Sequence, residues 1–400
     1  MPAFTEHHRP STPLKTLTAL TALSGLALAG VLTAPAATAA TPARTATATA
    51  AAAGVPPLQK ALNDLVKKDG FPGALATVHE SDGDVRYYTA GVGDLKTRSE
   101  VPVDGRVRIA SNTKMYTATV VLQLVGEGRI ELDAPIERYL PKLVRGKAGD
   151  GRKITVRQLL QHTSGLPDYD EALFADFDLF LRKYWKPREM VDLALKRKAL
   201  FEPGKGWGYS NTNYVLAGMV VEKVTGRPVG REITDRIIKR LGLRDTYWPK
   251  ARDRGIRGPH PHGYFAAKPS EPWVDVTRFD PSSGWAAGQL IGSPGDLNRF
   301  LLALLDGELL EPAQLAEMKK TVAAPGSDTV GGGRYGLGLA TFKLSCGGFA
   351  WTHGGNAPGY TTRNAVTKDG RAAAVAVTAL PVTLKSAKNV EKALDTALCK

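Results

Sequence analysis

Ser111, Asn112, Thr113 and Lys114 set a hydroxyl and a primary amine three residues apart, at a change of local structure. Arg106 to Ala110 alternates charged and apolar residues, the pattern of a half-buried strand. From there Met115, Ala118, Leu122 and Val125 recur at helical spacing until Gly126 and Gly128 end the run. Ser111 is thus expected at or near a helix N-terminus, with Lys114 one turn on and on the same face. A serine hydroxyl is a weak nucleophile at neutral pH and needs an adjacent base. A lysine can act as that base if partial burial and nearby positive charge lower its pKa. The helix N-terminus adds free backbone N–H groups and a positive dipole end where an oxyanion could form. The same four residues also fit an N-cap serine followed by a solvated lysine, and S-x-x-K is common by chance. Partners elsewhere have to decide.

Two distant segments offer such partners. Tyr209-Ser210-Asn211 comes just before an apolar helical pattern starting at Tyr214. A tyrosine near an ammonium group can be held as a phenolate, or near it, and take the serine proton. Asn211 has an amide donor and an acceptor, fit to orient a substrate amide and the lysine together. His353-Gly354-Gly355-Asn356 is entered from the strand-like Phe349–Thr352. Glycines on an edge strand let a ligand approach the backbone, and an N–H there would complete an oxyanion hole with that of Ser111. In isolation the first segment is a common turn and the second a bulged strand with a surface histidine.

The elements that must position these groups are partly legible. Leu58 to Lys68 has helical spacing, and Gly73–His79 and Val85–Gly91 read as a hairpin across Ser81–Asp84. From Ala134 to about Trp273 the pattern turns to helices and irregular connectors, with helices at Val156–Leu160, Tyr214–Val224 and Val229–Leu241. A helix at Pro294–Leu305 follows, then strand-like runs at Tyr335–Leu344, Phe349–Thr352, Tyr360–Thr367 and Ala372–Thr378, and a closing helix Lys388–Leu398. Strands at both ends and helices between imply an α/β (α+β) chain: a sheet part at 55–133 and 285–400, interrupted by a helical part at 134–284, with a cleft between them.

Residues 1–40 read as a secretion signal: a polar start, an apolar run from Leu17 to Leu32, and an A-x-A site that places cleavage near Ala39-Ala40. Residues 41–54 are almost only Ala, Thr and Pro, a low-complexity linker. An exported, secreted protein is expected, with residues 55–400 as its catalytic domain. The net charge of +14 suits an anionic cell envelope, and the missing zinc-finger, RNP-like or basic-helix patterns argue against nucleic acid. Cys346 and Cys399, an even pair in an exported chain, favour a disulfide. It would close a loop worth roughly 4 kcal/mol in the chain-entropy model and pin the closing helix to the strand before Cys346. His260-Pro261-His262 has ligand-like spacing, but such a pair is more often a turn, and no metal or organic cofactor is expected.

Order and spacing join the three segments. S-x-x-K early, Y-S-N about a hundred residues later and H-G-G on a late strand resemble the penicillin-recognising serine hydrolases. That group comprises class C β-lactamases, secreted D-alanyl-D-alanine carboxypeptidases and related esterases and D-amino-peptidases. Leu159-Leu160-Gln161-His162-Thr163-Ser164-Gly165-Leu166, Tyr209 to Tyr214 with Ala217-Gly218, and Tyr335-Gly336-Leu337-Gly338-Leu339 are similar to family sequence as well. The resemblance covers about residues 57–399 and is nearest to exported actinobacterial carboxypeptidases, which carry two cysteines at a similar separation. It implies a β-lactamase/transpeptidase-like fold and a monomer that acts on a D-amino-acid-containing peptide or β-lactam. Ser111 would form the acyl-enzyme, and Lys114 and Tyr209 would relay the proton. Asn211 would hold the acyl amide. His353 would support the Tyr209 side, and the N–H groups of Ser111 and Asn356 would form the oxyanion hole. Phe174 falls where the carboxypeptidases place an aromatic wall, though a core phenylalanine fits it too.

Two positions depart from the carboxypeptidase pattern. Gly354 stands where a threonine helps bind the substrate's terminal carboxylate, and Ala340 where an arginine often does. Arg363 is the candidate replacement if its side chain faces the cleft. D,D-carboxypeptidase-like hydrolysis is the leading expectation. A β-lactamase, an esterase or a D-amino-acid amidase or peptidase of the same fold is the alternative, and a non-catalytic cell-wall-binding protein is an alternative of another class.

Overall fold

A computed structural model describes residues 55–327 and 332–399. The expected leader and linker lie outside the described residues. Helix α1 (Pro57–Lys67) turns Leu58, Leu62 and Leu65 inward, and the expected hairpin forms as β1 (Gly73–His79) and β2 (Val85–Gly91). The chain returns to the sheet through β3 (Val322–Ala323), β4 (Arg334–Tyr335), β5 (Ala340–Lys343), β6 (Phe349–Ala357), β7 (Tyr360–Val366) and β8 (Ala372–Val377). These strands form one antiparallel sheet in the order β2-β1-β8-β7-β6-β5-β4-β3. Both ends of the described chain therefore build one sheet.

Period-two alternation divides the core into two layers. Ala74, Ala76, Val78, Ala373, Val375 and Val377 pack with the terminal helices α1 and α5 (Leu384–Leu398). Leu75, Ala372, Ala374 and Ala376 join the larger cluster on the opposite side, with α4 (Pro294–Leu305). The Cys346–Cys399 disulfide forms, with Cα atoms 5.7 Å apart, and ties the end of α5 to the turn after β5.

Helix α2 (Thr113–Gly126) is buried on nearly every face, as a central helix is. Helix α3 (Asn211–Thr225) packs on it and stops at Gly226, whose φ of +70° suits a helix end. It begins three residues before the apolar repeat predicts, because the Asp168 carboxylate accepts the Asn211 backbone N–H (3.0 Å) at its first turn. Asn211 thereby belongs to a rigid helix rather than to a loop.

Four local expectations change. The strand at Arg106–Ala110 shrinks to Val107–Arg108, paired with Ile291–Gly292, and both of its residues are buried. The helix expected at Val229–Leu241 runs as Val229–Ile233 and widens to a π-turn at Thr234–Ile238. The run Tyr335–Leu344 splits in two at a turn where Gly338 has φ +80°. In the other direction, Phe349–Thr352 extends through the glycines to Ala357, because β7 pairs with it along that length. Along β6, the partner strand β5 covers Phe349–Thr352 and stops there, so His353 to Ala357 present one strand edge to the cleft.

Candidate active site

Ser111 occupies a short 3₁₀ turn, Ala110–Asn112, directly before α2. Ala110 has φ +45°, a left-handed conformation that costs an L-residue roughly 1–2 kcal/mol. The turn is held against the sheet. Asn112 Nδ2 donates to the Ile109 carbonyl and to Thr362 Oγ1, both at 2.7 Å. Gly355 makes this approach possible, since a Cβ there would lie 2.2 Å from the Ile109 carbonyl oxygen. The third motif thus sits against the first for a steric reason.

The Lys114 side chain is fully buried, and its Nζ reaches Ser111 Oγ (3.0 Å), Asn211 Oδ1 (2.6 Å) and the Ala287 carbonyl (2.8 Å). Burial lowers its pKa to about 7, against the opposing pull of Asp168 and Asp170. Lys114 is therefore available as a neutral amine near physiological pH. Tyr209 lies above it, with Nζ 4.9 Å from the ring centroid. The expected phenolate is not supported. Burial and neighbouring Tyr335 push the phenol well above its usual value, with a smaller opposing effect from its hydrogen bond to Ser111. The ring is 36% exposed at the cleft, so water softens that rise without reversing it.

Tyr209 lies against His162 with the rings tilted by 31° and their centroids 4.3 Å apart. Burial keeps the His162 imidazole neutral, and its Nδ1 accepts from the Ser210 N–H (3.2 Å) and from Asn213 Nδ2 (3.1 Å). His353 also stays neutral, with burial lowering its pKa to about 3. Its Nδ1–H donates to the Gly354 carbonyl (2.6 Å), so Nε2 accepts from the Tyr335 hydroxyl (2.8 Å). The hydrogen bonds of His353 thus run to Tyr335 rather than to Tyr209, and its support for the Tyr209 side carries no charge.

Two cavities meet at Ser111. An aromatic one is walled by Phe174, Phe180 and Phe279, and a polar one by Tyr209, His353, Gly354 and Arg363; Asp170, Asn211 and Asn356 border both. Phe174 stacks on Phe180 at 4.6 Å and is a wall residue rather than core. Arg363 faces the cleft. It pairs across the strands with Gly354, and a Cβ at Gly354 would lie 3.0 Å from its Nη1, so the guanidinium takes the room a threonine side chain would need. Nη1 donates to Asn356 Oδ1 (3.1 Å), and Nε lies 3.7 Å from Glu391 Oε1.

Asp168 and Asp170 were not singled out from sequence. Asn211 Nδ2 donates to Asp168 Oδ2 (3.1 Å) and to Asp170 Oδ2 (2.7 Å). Burial raises the pKa of both carboxyls, and the neighbouring Asp168 charge pushes Asp170 further, up to about 8, so the pair holds a proton near neutrality. The signal was their position directly after the family-like Leu159–Leu166 segment. His262 Nδ1 bonds Asp275 at 2.7 Å, and among the described residues no group of three or more His, Cys, Asp or Glu is placed to hold a metal ion.

A family model for beta-lactamase matches residues 58–397. The chain belongs to the β-lactamase family. A D-stereospecific amidohydrolase from Streptomyces sp. is 42% identical, with a TM-score of 0.77 over 84% of this chain and 97% of its own. The D-amino acid amidase of Ochrobactrum anthropi SV3, solved in complex with D-phenylalanine, is 30% identical, with a TM-score of 0.74 over 86% of this chain and 97% of its own. Penicillin-binding protein 4* of Bacillus subtilis is 28% identical over 76% of this chain and 67% of its own. The protein is accordingly a serine hydrolase of the β-lactamase and penicillin-binding-protein fold.

Proposed function

We propose that the protein is a D-aminoacyl amidohydrolase, which releases D-residues bearing a free α-ammonium from amides or short peptides through an acyl-Ser111 intermediate. The commitment of Asn211 carries this reading. Both hydrogens of Nδ2 go to Asp168 and Asp170, and Oδ1 faces Lys114. Asn211 itself keeps no donor for the carbonyl of an N-acylated substrate, and that carbonyl would meet the acidic Asp168–Asp170 pair instead. An α-ammonium is the group this wall attracts. The names of the two amide-hydrolysing neighbours support the same substrate class.

In this mechanism neutral Lys114 accepts the Ser111 proton over 3.0 Å as Oγ attacks the carbonyl carbon. The N–H groups of Ser111 and Asn356 receive the oxyanion. The phenol of Tyr209 gives its proton to the departing nitrogen as the C–N bond breaks, and the Lys114 ammonium restores the phenol. Water then attacks the acyl carbon and gives a proton to Lys114, and the relay returns a proton to Ser111 Oγ as the ester C–O bond breaks and the acid leaves. Tyr209 borders only the polar cavity, so the leaving group lies there and the acyl side chain lies in the aromatic one. Residues 1–40, read as a leader, make export part of the proposal.

One observation favours a second reading, D,D-carboxypeptidase-like action on cell-wall peptides. Arg363 in the polar cavity stands where a terminal carboxylate would be held. Rates on D-phenylalaninamide, N-acetyl-D-phenylalaninamide and an N-acylated D-Ala-D-Ala peptide separate the two, with Ser111→Ala as the blank. A preference for the first over the second supports the amidohydrolase. Cleavage of the acylated peptide alone overturns it in favour of the carboxypeptidase.

A further inference from the structure

Two buried side chains on the aromatic cavity are not used by this mechanism, and each has polar atoms without partners among the described residues. Arg108 is 3% exposed. Its Nη2 donates to the carbonyls of Arg254 (2.7 Å), Thr277 (3.0 Å) and Phe279 (3.1 Å), and its guanidinium lies 3.9 Å over the Phe279 ring. Its Nε and Nη1 donate to no protein atom there. Gln289 is 5% exposed, and its Nε2 donates to the Pro249 carbonyl at 3.2 Å, which fixes the amide so that Oε1 is the unpaired end. Both residues line the cavity that Ser111, Phe174, Phe180 and Phe279 also line.

An unpaired buried donor or acceptor is costly, and such groups in a native structure call for a ligand or ordered water. The types present narrow the ligand. Arg108 has only N–H donors to give, and Gln289 Oε1 can only accept. A carboxylate would suit Arg108 and be repelled by Gln289 Oε1 and Asp170. A plain phenyl ring would satisfy neither. A phenol matches both by type, since its oxygen can accept from an arginine N–H and its hydrogen can go to an amide oxygen. Its ring suits walls of phenylalanine.

We propose that the aromatic cavity is a subsite for a 4-hydroxyphenyl side chain, with Arg108 and Gln289 reading the hydroxyl, so that D-tyrosyl groups are preferred over D-phenylalanyl groups. The inference rests on the acyl-serine reading above, with the acyl side chain in this cavity. It makes Gln289 and Arg108 specificity residues rather than catalytic ones.

The test compares kcat/KM for D-tyrosinamide, D-phenylalaninamide and D-glutamine α-amide in the full chain and in Gln289→Met. Calorimetric binding of free D-tyrosine and D-phenylalanine to Ser111→Ala reads the same preference without turnover. The expected result is a tyrosine preference of at least about tenfold in both assays, reduced to within about twofold of unity by Gln289→Met. Arg108→Lys, which removes the planar donor edge, should reduce the same ratio if it folds. A wild-type ratio at or below one overturns the subsite, and so does a tyrosine preference that survives Gln289→Met. A D-glutamine amide better than D-tyrosinamide overturns the phenol in favour of a carboxamide. If no amide is hydrolysed, the amidohydrolase reading fails, while the calorimetric ratio still decides the subsite.

Discussion

On one side of Ser111 the wall is built from three phenylalanine rings over a buried arginine and glutamine; on the other it is built from Tyr209, Tyr335, His353 and Arg363, with Glu391 behind. Asp170 stands where the two meet, joined to Asp168 through Asn211. Negative charge therefore lies close to the reacting carbonyl, and positive charge lies further along the leaving-group side. A substrate that fits both sides carries its ammonium next to the scissile bond and its ring away from it, and any carboxylate beyond the leaving nitrogen. An N-acylated peptide meets the same walls with a carbonyl where the ammonium should be.

Removing the shared centre should abolish any difference between the two sides. Lys114→Met keeps length and loses the base, so kcat should fall by about 10⁴-fold for charged and acetylated substrates alike. A loss confined to one class would mean that Lys114 serves binding rather than proton transfer. Asp170→Asn is the next largest perturbation and strikes one side alone. Losing a charged partner of the ammonium should cost about 2–4 kcal/mol on D-phenylalaninamide, roughly 30- to 10³-fold in kcat/KM and mainly in KM. The acetylated amide should gain relative to it. An equal loss on both would show that the pair only positions Asn211. Arg363→Ala perturbs the other side, and about a tenfold rise in KM is expected for a dipeptide ending in a carboxylate, relative to the simple amide. An unchanged ratio would mean that Glu391 already neutralises Arg363 and that the leaving group is read by shape.

What was legible in sequence divides along the same line. Ser111, Lys114, Tyr209 and His353 declared themselves because each lies in a short segment of restricted type, and the hairpin at 73–91 and the helices at 156–160 and 294–305 because their apolar periods are regular. Arg363 was found through what Gly354 and Ala340 lack. Asp168, Asp170, Arg108 and Gln289 stayed hidden for a common reason. They are ordinary polar residues whose burial is created by contacts far away in sequence, such as Arg108 Nη2 with the Thr277 carbonyl. Burial is also what lowers the Lys114 pKa, and a period-3.6 pattern cannot show a helix enclosed on every face. The extension of β6 through Gly354 and Gly355 was hidden in the opposite way. Glycine weakens a strand locally, but pairing with β7 and contact with the Ser111 turn hold it there.

The smallest effect is also the most discriminating, because it separates two ionisations that lie on the two sides of the reaction. Below about pH 7 Lys114 is an ammonium and cannot accept the Ser111 proton; above it the amine is present. That limb raises kcat/KM with pH for every substrate, by up to tenfold per unit at its steepest. The carboxyl pair has its pKa values pushed up, so it too gains charge as pH rises. This second gain matters only to a substrate with an ammonium, whose rise should therefore be steeper than that of its acetylated counterpart. At higher pH the substrate ammonium itself deprotonates, near the usual α-amino value of about 8, and the attraction is lost. The profile for D-phenylalaninamide should accordingly be bell-shaped, and that for the N-acetyl amide should rise to a plateau. Two profiles of the same shape would show that Asp168 and Asp170 do not face the substrate ammonium, whatever their effect on Asn211.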